Sequence, residues 1–110
     1  MIRGLDLIGP LKAFQEKMEQ VQESLERQTV EASSGGGMVT VTVNGKLEVV
    51  DIKIDPQLLQ FEDVRMLEDL IIAAVNDALR RAQELMAQEL SKLAGGLSLP
   101  GLKIPGFLNS

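Results

Sequence analysis

Residues 38–54 read MVTVTVNGKLEVVDIKI, in which apolar and polar residues alternate on either side of an Asn44-Gly45 pair. A period of two is typical of a half-buried strand, and Asn-Gly is the strongest short-range hairpin signal because both turn positions favour positive φ. In the return strand the apolar parity changes at Val49-Val50, which indicates a β-bulge or a strand covered on both faces, and we favour the bulge. The predicted buried face of the first strand consists of Val39, Val41 and Val43.

A helix is predicted for residues 7–31, ahead of the hairpin. Its apolar residues recur at alternating spacings of four and three, which is the 3.5-residue period of a coiled-coil seam. Pro10 fits the first turn of such a helix. Because so narrow an apolar stripe on a polar helix rarely enters a monomer core, we expect it to pack on another helix of the chain or on a second copy. The predicted seam consists of Leu11, Phe14, Met18, Val21 and Leu25.

Two short segments on either side of the hairpin interrupt the regular patterns. Residues 33–37, Ser-Ser-Gly-Gly-Gly, predict a flexible joint between the first helix and the hairpin. They do not form a phosphate-binding loop, because no Lys-Ser/Thr comes after them and the next element is a strand. After the hairpin, Asp55-Pro56 predicts the end of the strand and a short turn of helix.

The C-terminal half contains the longest predicted element. A wide apolar stripe predicts a helix at 62–94, closed by Gly95-Gly96 as its C-cap. Residues 95–110 repeat a Leu-rich Pro-Gly pattern, which predicts an extended tail. Because such a tail is too apolar to stay in water, we expect it to cover the protein's own surface or to bind a partner.

Composition excludes most chemistry for this 110-residue chain, which we interpret as a single domain. It has no Cys and no His, so thiolate nucleophiles, disulfides, Cys/His zinc sites and serine–histidine triads are excluded. We therefore expect no enzyme activity, no metal and no cofactor. The net charge of −5 argues at first sight against nucleic acid, and the small number of aromatic residues argues against base stacking.

The predicted elements also indicate an oligomer. An isolated two-stranded hairpin is marginal in water, and with two helices it makes a thin core. The unpartnered seam on the first helix adds to this shortage of packing. We therefore predict a homodimer. No signal peptide or membrane-spanning run is visible in the sequence, so a cytoplasmic protein without membrane contact is expected.

A series of short blocks from residue 12 to residue 107 resembles one family. The blocks are SGGGMV at 34–39, VTVNG at 41–45, IDP at 54–56, MLEDLI at 66–71, AVNDA at 74–78, GGL at 95–97, LPG at 99–101 and PGF at 105–107. In this order they resemble the YbaB/EbfC family of bacterial nucleoid-associated proteins. The first ten residues depart from the Met/Gln/Lys-rich start that is common in that family.

The resemblance implies both a fold and a function. The implied fold is an α-β-β-α core with an optional third strand, in an intertwined homodimer whose N-terminal helices project like the arms of tweezers. The implied function is DNA binding with little sequence preference, in the organisation of the nucleoid and the regulation of genes. No small-molecule substrate is implied.

Lys and Arg side chains are the candidates for DNA contact, because neutralisation of phosphates dominates non-specific affinity. No segment before the tail is net positive, so the cations must be gathered by the fold. For each of them the alternative is a solvated residue paired with a nearby acid, as Lys12 could pair with Glu16. The candidates are Lys12, Lys17 and Arg27 on the first helix and Arg80, Arg81 and Lys92 on the second.

A second hypothesis comes from a different functional class. The heptad seam and the apolar tail could recruit other proteins, which would make the chain a protein-interaction or scaffold module with little or no DNA binding. The acidic charge favours this alternative, whereas the family resemblance favours DNA.

Overall fold

Two helices and a three-stranded antiparallel sheet make up residues 4–96, which are the part of the chain described by a computed structural model. The elements in chain order are α1 at Gly4–Arg27, β1 at Thr29–Ser34, a 3₁₀ turn at Gly35–Gly37, β2 at Val39–Asn44, β3 at Val49–Ile54, a second 3₁₀ turn at Pro56–Phe61 and α2 at Val64–Gly96. The strands lie in the sheet in the order β1-β2-β3. The predicted α+β class is confirmed, and the third strand that the resemblance left optional is present.

The third strand lies where the end of the first helix and part of the joint were predicted. α1 ends at Arg27, and residues 29–34 pair with β2. The helix prediction at 7–31 and the joint at 33–37 were therefore wrong in their bounds. The physical reason is pairing: Ala32 lies opposite Val41 and is 4% exposed, and the Ser34 hydroxyl donates to the Leu70 carbonyl of α2 at 2.6 Å. Only the three glycines remain as a tight 3₁₀ turn. α1 also begins earlier than predicted, at Gly4, so Pro10 lies inside the helix rather than in its first turn.

The hairpin turn differs from the prediction in its backbone. Neither Asn44 nor Gly45 has a positive φ; Leu47 takes that conformation instead, at φ 67°. The Asn44 N–H donates to the Glu48 carbonyl at 2.9 Å, so the loop has three residues, a form that commonly ends on a left-handed residue. The buried Asn44 side chain closes this loop: its Oδ1 accepts from the N–H groups of Lys46 at 2.9 Å and Glu48 at 3.1 Å.

The predicted bulge is present in β3. Thr42 lies opposite Asp51 and Val43 lies opposite Val49, which leaves Val50 as the extra residue. This insertion changes the parity of the strand, as the switch at residues 49–50 indicated. The bulge prediction is confirmed.

The core lies between the sheet and α2. α2 packs on β1 and β2, and the residues that meet there are small on the helix side and β-branched on the sheet side. Alanines let the helix lie close to the strands, so the valines are fully enclosed. The central buried residues are Val39, Val41, Val43, Ala74, Ala78 and Ala82.

Side-chain caps mark the start of the second 3₁₀ turn and the start of α2. Asp55 Oδ1 accepts from the Gln57 N–H at 2.9 Å, which confirms the predicted turn after the strand. Asp63 Oδ1 accepts from the Met66 N–H at 3.0 Å, the contact of a helix N-cap. α2 therefore begins at residue 64 rather than at residue 62, since Glu62 has a left-handed backbone.

The C-terminal end of α2 also differs from the prediction. α2 continues through the glycines at 95–96 that were expected to cap it. The predicted tail beyond them lies outside the described residues. Within residues 4–96, no helix is long and apolar enough to cross a membrane.

Candidate nucleic-acid interface

The segment formed by α1 and β1 runs antiparallel along the length of α2. Three hydrogen bonds join the two: the Ser34 hydroxyl donates to the Leu70 carbonyl, Arg81 Nη1 donates to the Glu31 carbonyl at 3.0 Å, and Gln28 Nε2 donates to Glu89 at 3.3 Å. As the residue number falls on the first segment, it rises on α2. The fold therefore places cations from the two ends of the sequence beside one another.

One pair of predicted DNA contacts, Lys17 and Lys92, meets in an open groove between α1 and the last turns of α2. The groove measures about 240 Å³, and within it Lys92 Nζ pairs with Glu89 Oε1 at 3.2 Å. Glu89 pairs with Lys92 only, so the groove contains two ammonium groups and one acidic side chain. The groove is lined by Lys17, Gln20, Val21, Ser24, Glu89, Lys92 and Leu93.

Glu89 connects the two helices of this groove. Its side chain is only 15% exposed, and it accepts from the Gln28 amide and from Lys92. These hydrogen bonds, the Gln28 bond first, hold the pKa of Glu89 below its ordinary value of 4.5. The ionised form therefore stabilises the contact between α1 and α2.

The lowered pKa of Glu89 predicts a pH dependence of the helix contact. Because the folded state holds the carboxylate more acidic than the unfolded chain does, its contribution is fully present above pH 4.5 and is lost as the pH falls through the folded pKa. We expect the urea midpoint of unfolding to fall more steeply below pH 4.5 for the wild type than for Glu89→Gln. Glu84→Gln, an exposed position on the same helix, is the control and should follow the wild type. Parallel curves for wild type and E89Q would contradict the assignment.

Arg80 and Arg81 lie at the middle of α2, and both pair with Asp77, at 3.7 Å and 3.4 Å. Arg81 also donates to the Glu31 carbonyl, so it fastens the edge of β1 to the helix. Asp77 offsets part of the charge of this pair of arginines. Arg80 has the more exposed side chain of the two.

Arg27 lies at the end of α1, where the hairpin turn meets it. The Gly45 N–H donates to the carbonyls of Leu25 at 2.8 Å and Gln28 at 3.0 Å, which brings the exposed Lys46 to the same end of the helix as Arg27. Lys46 was not among the predicted contacts, because only the docking of the turn on α1 places it near one of them. The predicted set also left out two further exposed cations, Lys53 and Arg65.

The seam residues of α1 have different environments along the helix. Leu25 is buried, Met18 and Val21 are half-buried, and Leu11 and Phe14 are exposed. The half of the seam nearest the sheet is therefore covered within the chain, whereas the described residues leave the other half open.

Ion pairing also differs between the candidate cations of the two helices. Within residues 8–95, ion pairs form at the three candidates on α2, and none forms at Lys12, Lys17 or Arg27 on α1. All three candidates on α1 are exposed. Lys12, Lys17 and Arg27 therefore have more charge available to a ligand than the candidates on α2.

The described residues offer few groups for chemistry other than electrostatic attraction. Across the described part of the chain, no group of three or more Asp or Glu side chains is arranged to hold a metal ion. The acidic residues stand mostly exposed along the two helices. The arrangement can attract phosphate at the lysines and arginines.

Comparison with known proteins identifies the family. A sequence model described as the YbaB/EbfC DNA-binding family matches residues 3–97. The chain belongs to the YbaB/EbfC family. This confirms the resemblance seen in the sequence blocks, and the match includes most of the opening residues that departed from the usual family start.

Individual proteins are similar to this chain over most of its length. A "Nucleoid-associated protein" of Syntrophobacter fumaroxidans is 58% identical over 107 residues, which is 97% of each chain. One of the same name from Alkaliphilus metalliredigens is 47% identical over 97 residues, covering 88% of this chain and 85% of the relative. The crystal structure of the uncharacterized protein HP0035 from Helicobacter pylori matches with a TM-score of 0.71 at 30% identity, covering 88% of this chain and 98% of the other.

Proposed function

We propose that this chain is a nucleoid-associated protein of the bacterial cytoplasm that binds DNA as a homodimer, with little sequence preference. The observation that carries the proposal is the match of the DNA-binding family over residues 3–97. The names of its relatives support nucleoid association, and none of them favours the scaffold alternative. The family is described by DNA binding rather than by a reaction, and we propose no catalytic role and no cofactor.

Phosphate contact is the mode of binding that the residues support. The chain has no Tyr or Trp for base stacking, and phosphate contacts position a protein on DNA without reading its sequence. Because each chain has a net charge of −5, binding must come from local cations whose charge is not already taken up by an ion pair. Lys12 and Lys17 on α1 suit this role, since neither has an ion pair within residues 8–95.

The uncovered side of β3 supports the homodimer. Ile52 lies opposite Val41 and Ile54 opposite Val39, so these isoleucines share the apolar face of the buried valines. α2 packs over β1 and β2, and Ile52 and Ile54 remain 42% and 37% exposed. An apolar edge strand in water invites pairing or aggregation, and burial against a second copy removes that hazard. The third strand strengthens the single chain beyond a bare hairpin, so the case for a dimer now rests on this face.

Titration of a DNA duplex at several salt concentrations tests the proposal. We expect measurable binding at low salt and a linear fall of log affinity with log salt, because phosphate contacts release counterions. Lys12→Gln/Lys17→Gln should weaken binding about tenfold or more at low salt and reduce the slope by roughly 0.9 for each phosphate that is no longer neutralised. The measurement is fluorescence anisotropy with a labelled duplex.

A matched variant separates the α1 cations from charge in general. Arg80→Gln/Arg81→Gln removes the same number of charges from a site where Asp77 already offsets them, so it should cost less affinity. Equal reductions of affinity in the two variants would mean that α1 has no special role. Absence of binding by the wild type at low salt and tens of micromolar protein would reject the proposed function.

A further inference from the structure

The end of α1 farthest from the sheet has an apolar strip that the described residues leave open. Ile8, Leu11 and Phe14 are 55%, 59% and 44% exposed. A spacing of three residues keeps them on one side of the helix. Closer to the sheet, the same helix buries Leu25. Three neighbouring large apolar side chains on an otherwise polar helix mark a surface that another segment covers.

The last described turn of α2 ends a short distance from this strip. Leu93 lines the same groove as Lys17, and the two helices run antiparallel. From Leu93 to the end of α2 at Gly96 the helix rises about 4.5 Å, and from Lys17 back to Phe14 it covers the same distance. Because Gln28 bonds Glu89 and the groove extends from Ser24 to Lys17, the chain leaves α2 between the levels of Val21 and Phe14, within about 11 Å of the strip along the helix axis. The rest of the strip lies farther along in the same direction.

The length of the remaining chain suits this position. Residues 97–110 can reach at most about 46 Å when extended, whereas the strip from Phe14 to Ile8 is about 9 Å long. The segment therefore has ample length to run along the strip and to bring several side chains onto it, without any change in the described helices.

The composition of residues 97–110 matches an apolar strip. Their large apolar side chains are Leu97, Leu99, Leu102, Ile104, Phe107 and Leu108. They contain one charged side chain, Lys103, and no acid. Residues 8–19 of α1 hold two lysines and two glutamates, so their net charge does not oppose an approach of this segment. We propose that residues 97–110 of the same chain cover the strip formed by Ile8, Leu11 and Phe14. The proposal does not depend on DNA binding.

Hydrogen exchange of the α1 amides tests the proposal. A chain that ends at Gly96 should exchange its amides at residues 8–14 about tenfold faster or more than the full chain, because the cover is gone. Amides at residues 74–82, in the buried part of α2, are the internal reference and should not change. Unchanged exchange at 8–14 would overturn the proposal and would indicate that a partner's helix covers the strip. Faster exchange at residues 74–82 as well would mean that the shortened chain unfolds more often as a whole. A variant of the full chain, described next, then tests the contact.

The second variant keeps residues 97–110 and changes the strip. Leu11→Gln/Phe14→Gln in the full chain uses good helix formers at exposed positions, so α1 should persist. We expect the NMR order parameters of amides at residues 99–107 to fall below about 0.6 in this variant. Ala13→Gln, exposed on α1 but off the strip, is the control and should leave them unchanged. Order parameters that are the same in all three proteins would refute the contact.

Discussion

Replacing Gly45 with alanine is expected to lower the free energy of unfolding by about 2–4 kcal/mol, since overpacking costs about 1–3 kcal/mol and the absence of a hydrogen bond about 1 kcal/mol. A Cβ at this position would lie 2.8 Å from the Leu25 carbonyl oxygen and 3.0 Å from the Leu25 Cα. Both contacts are with backbone, so a rotamer change cannot relieve them. The hairpin turn and the end of α1 must move apart, which breaks the hydrogen bonds from the Gly45 N–H to Leu25 and Gln28.

Urea unfolding followed by circular dichroism measures this effect as a lower midpoint. Gly9→Ala is the matched control, because a Cβ at Gly9 meets nothing within 4 Å and the residue lies inside α1. Alanine in a helix is favoured over glycine by about 1 kcal/mol, so this variant should be as stable as the wild type or more stable. An unchanged midpoint in G45A would show that the turn does not hold the helix as the distances indicate.

Replacing Ile52 with glutamate is expected to weaken the proposed homodimer about 100-fold or more, which corresponds to about 2.7 kcal/mol. Ile52 lies on the apolar side of β3 that α2 leaves open. A charge on that side stays solvated in a single chain, but it gives up its water without gaining a partner when a second copy covers the strand. Sedimentation equilibrium should show a mass near the 12.0 kDa of one chain for the variant and twice that mass for the wild type.

Lys53→Gln is the control for Ile52→Glu. It changes the net charge by the same amount at the next residue of the strand, whose side chain points to the opposite face of the sheet. We expect this variant to remain a dimer. The salt slope of DNA binding should also fall in the monomeric variant, since each binding unit then presents half as many cations. A wild type that sediments as a single chain would contradict the homodimer and leave the family assignment intact.

Much of the fold was predictable from local patterns. The alternation in residues 39–43, the parity change at Val50 and the Asp55-Pro56 turn each reflect interactions within a few residues, and each prediction was confirmed. The candidate cations were predictable only as a set of residue types. Lys17 and Lys92 are far apart in the sequence, and only the antiparallel packing of α1 on α2 brings them into one groove.

The errors have a common physical cause. Residues 29–34 have no strong strand pattern of their own, and they form β1 because β2 offers hydrogen-bond partners and α2 covers Ala32. The positive φ of Leu47 likewise arises from the three-residue loop that Asn44 closes. In both places, hydrogen bonds within the sheet and its loop outweigh the local conformational preference of the residues.

The amino-acid sequence by itself determined the α+β class and the absence of cysteine and histidine chemistry, because these depend on composition and on short-range periodicity. It also indicated the family, through the ordered blocks that resemble it. The tertiary structure decided which strand joins the hairpin, why Gly45 admits no side chain, and which cations stand together. Those features depend on distances between residues far apart in sequence. The apolar side of β3 belongs to the second group, since its residues are exposed only because α2 packs over the other two strands.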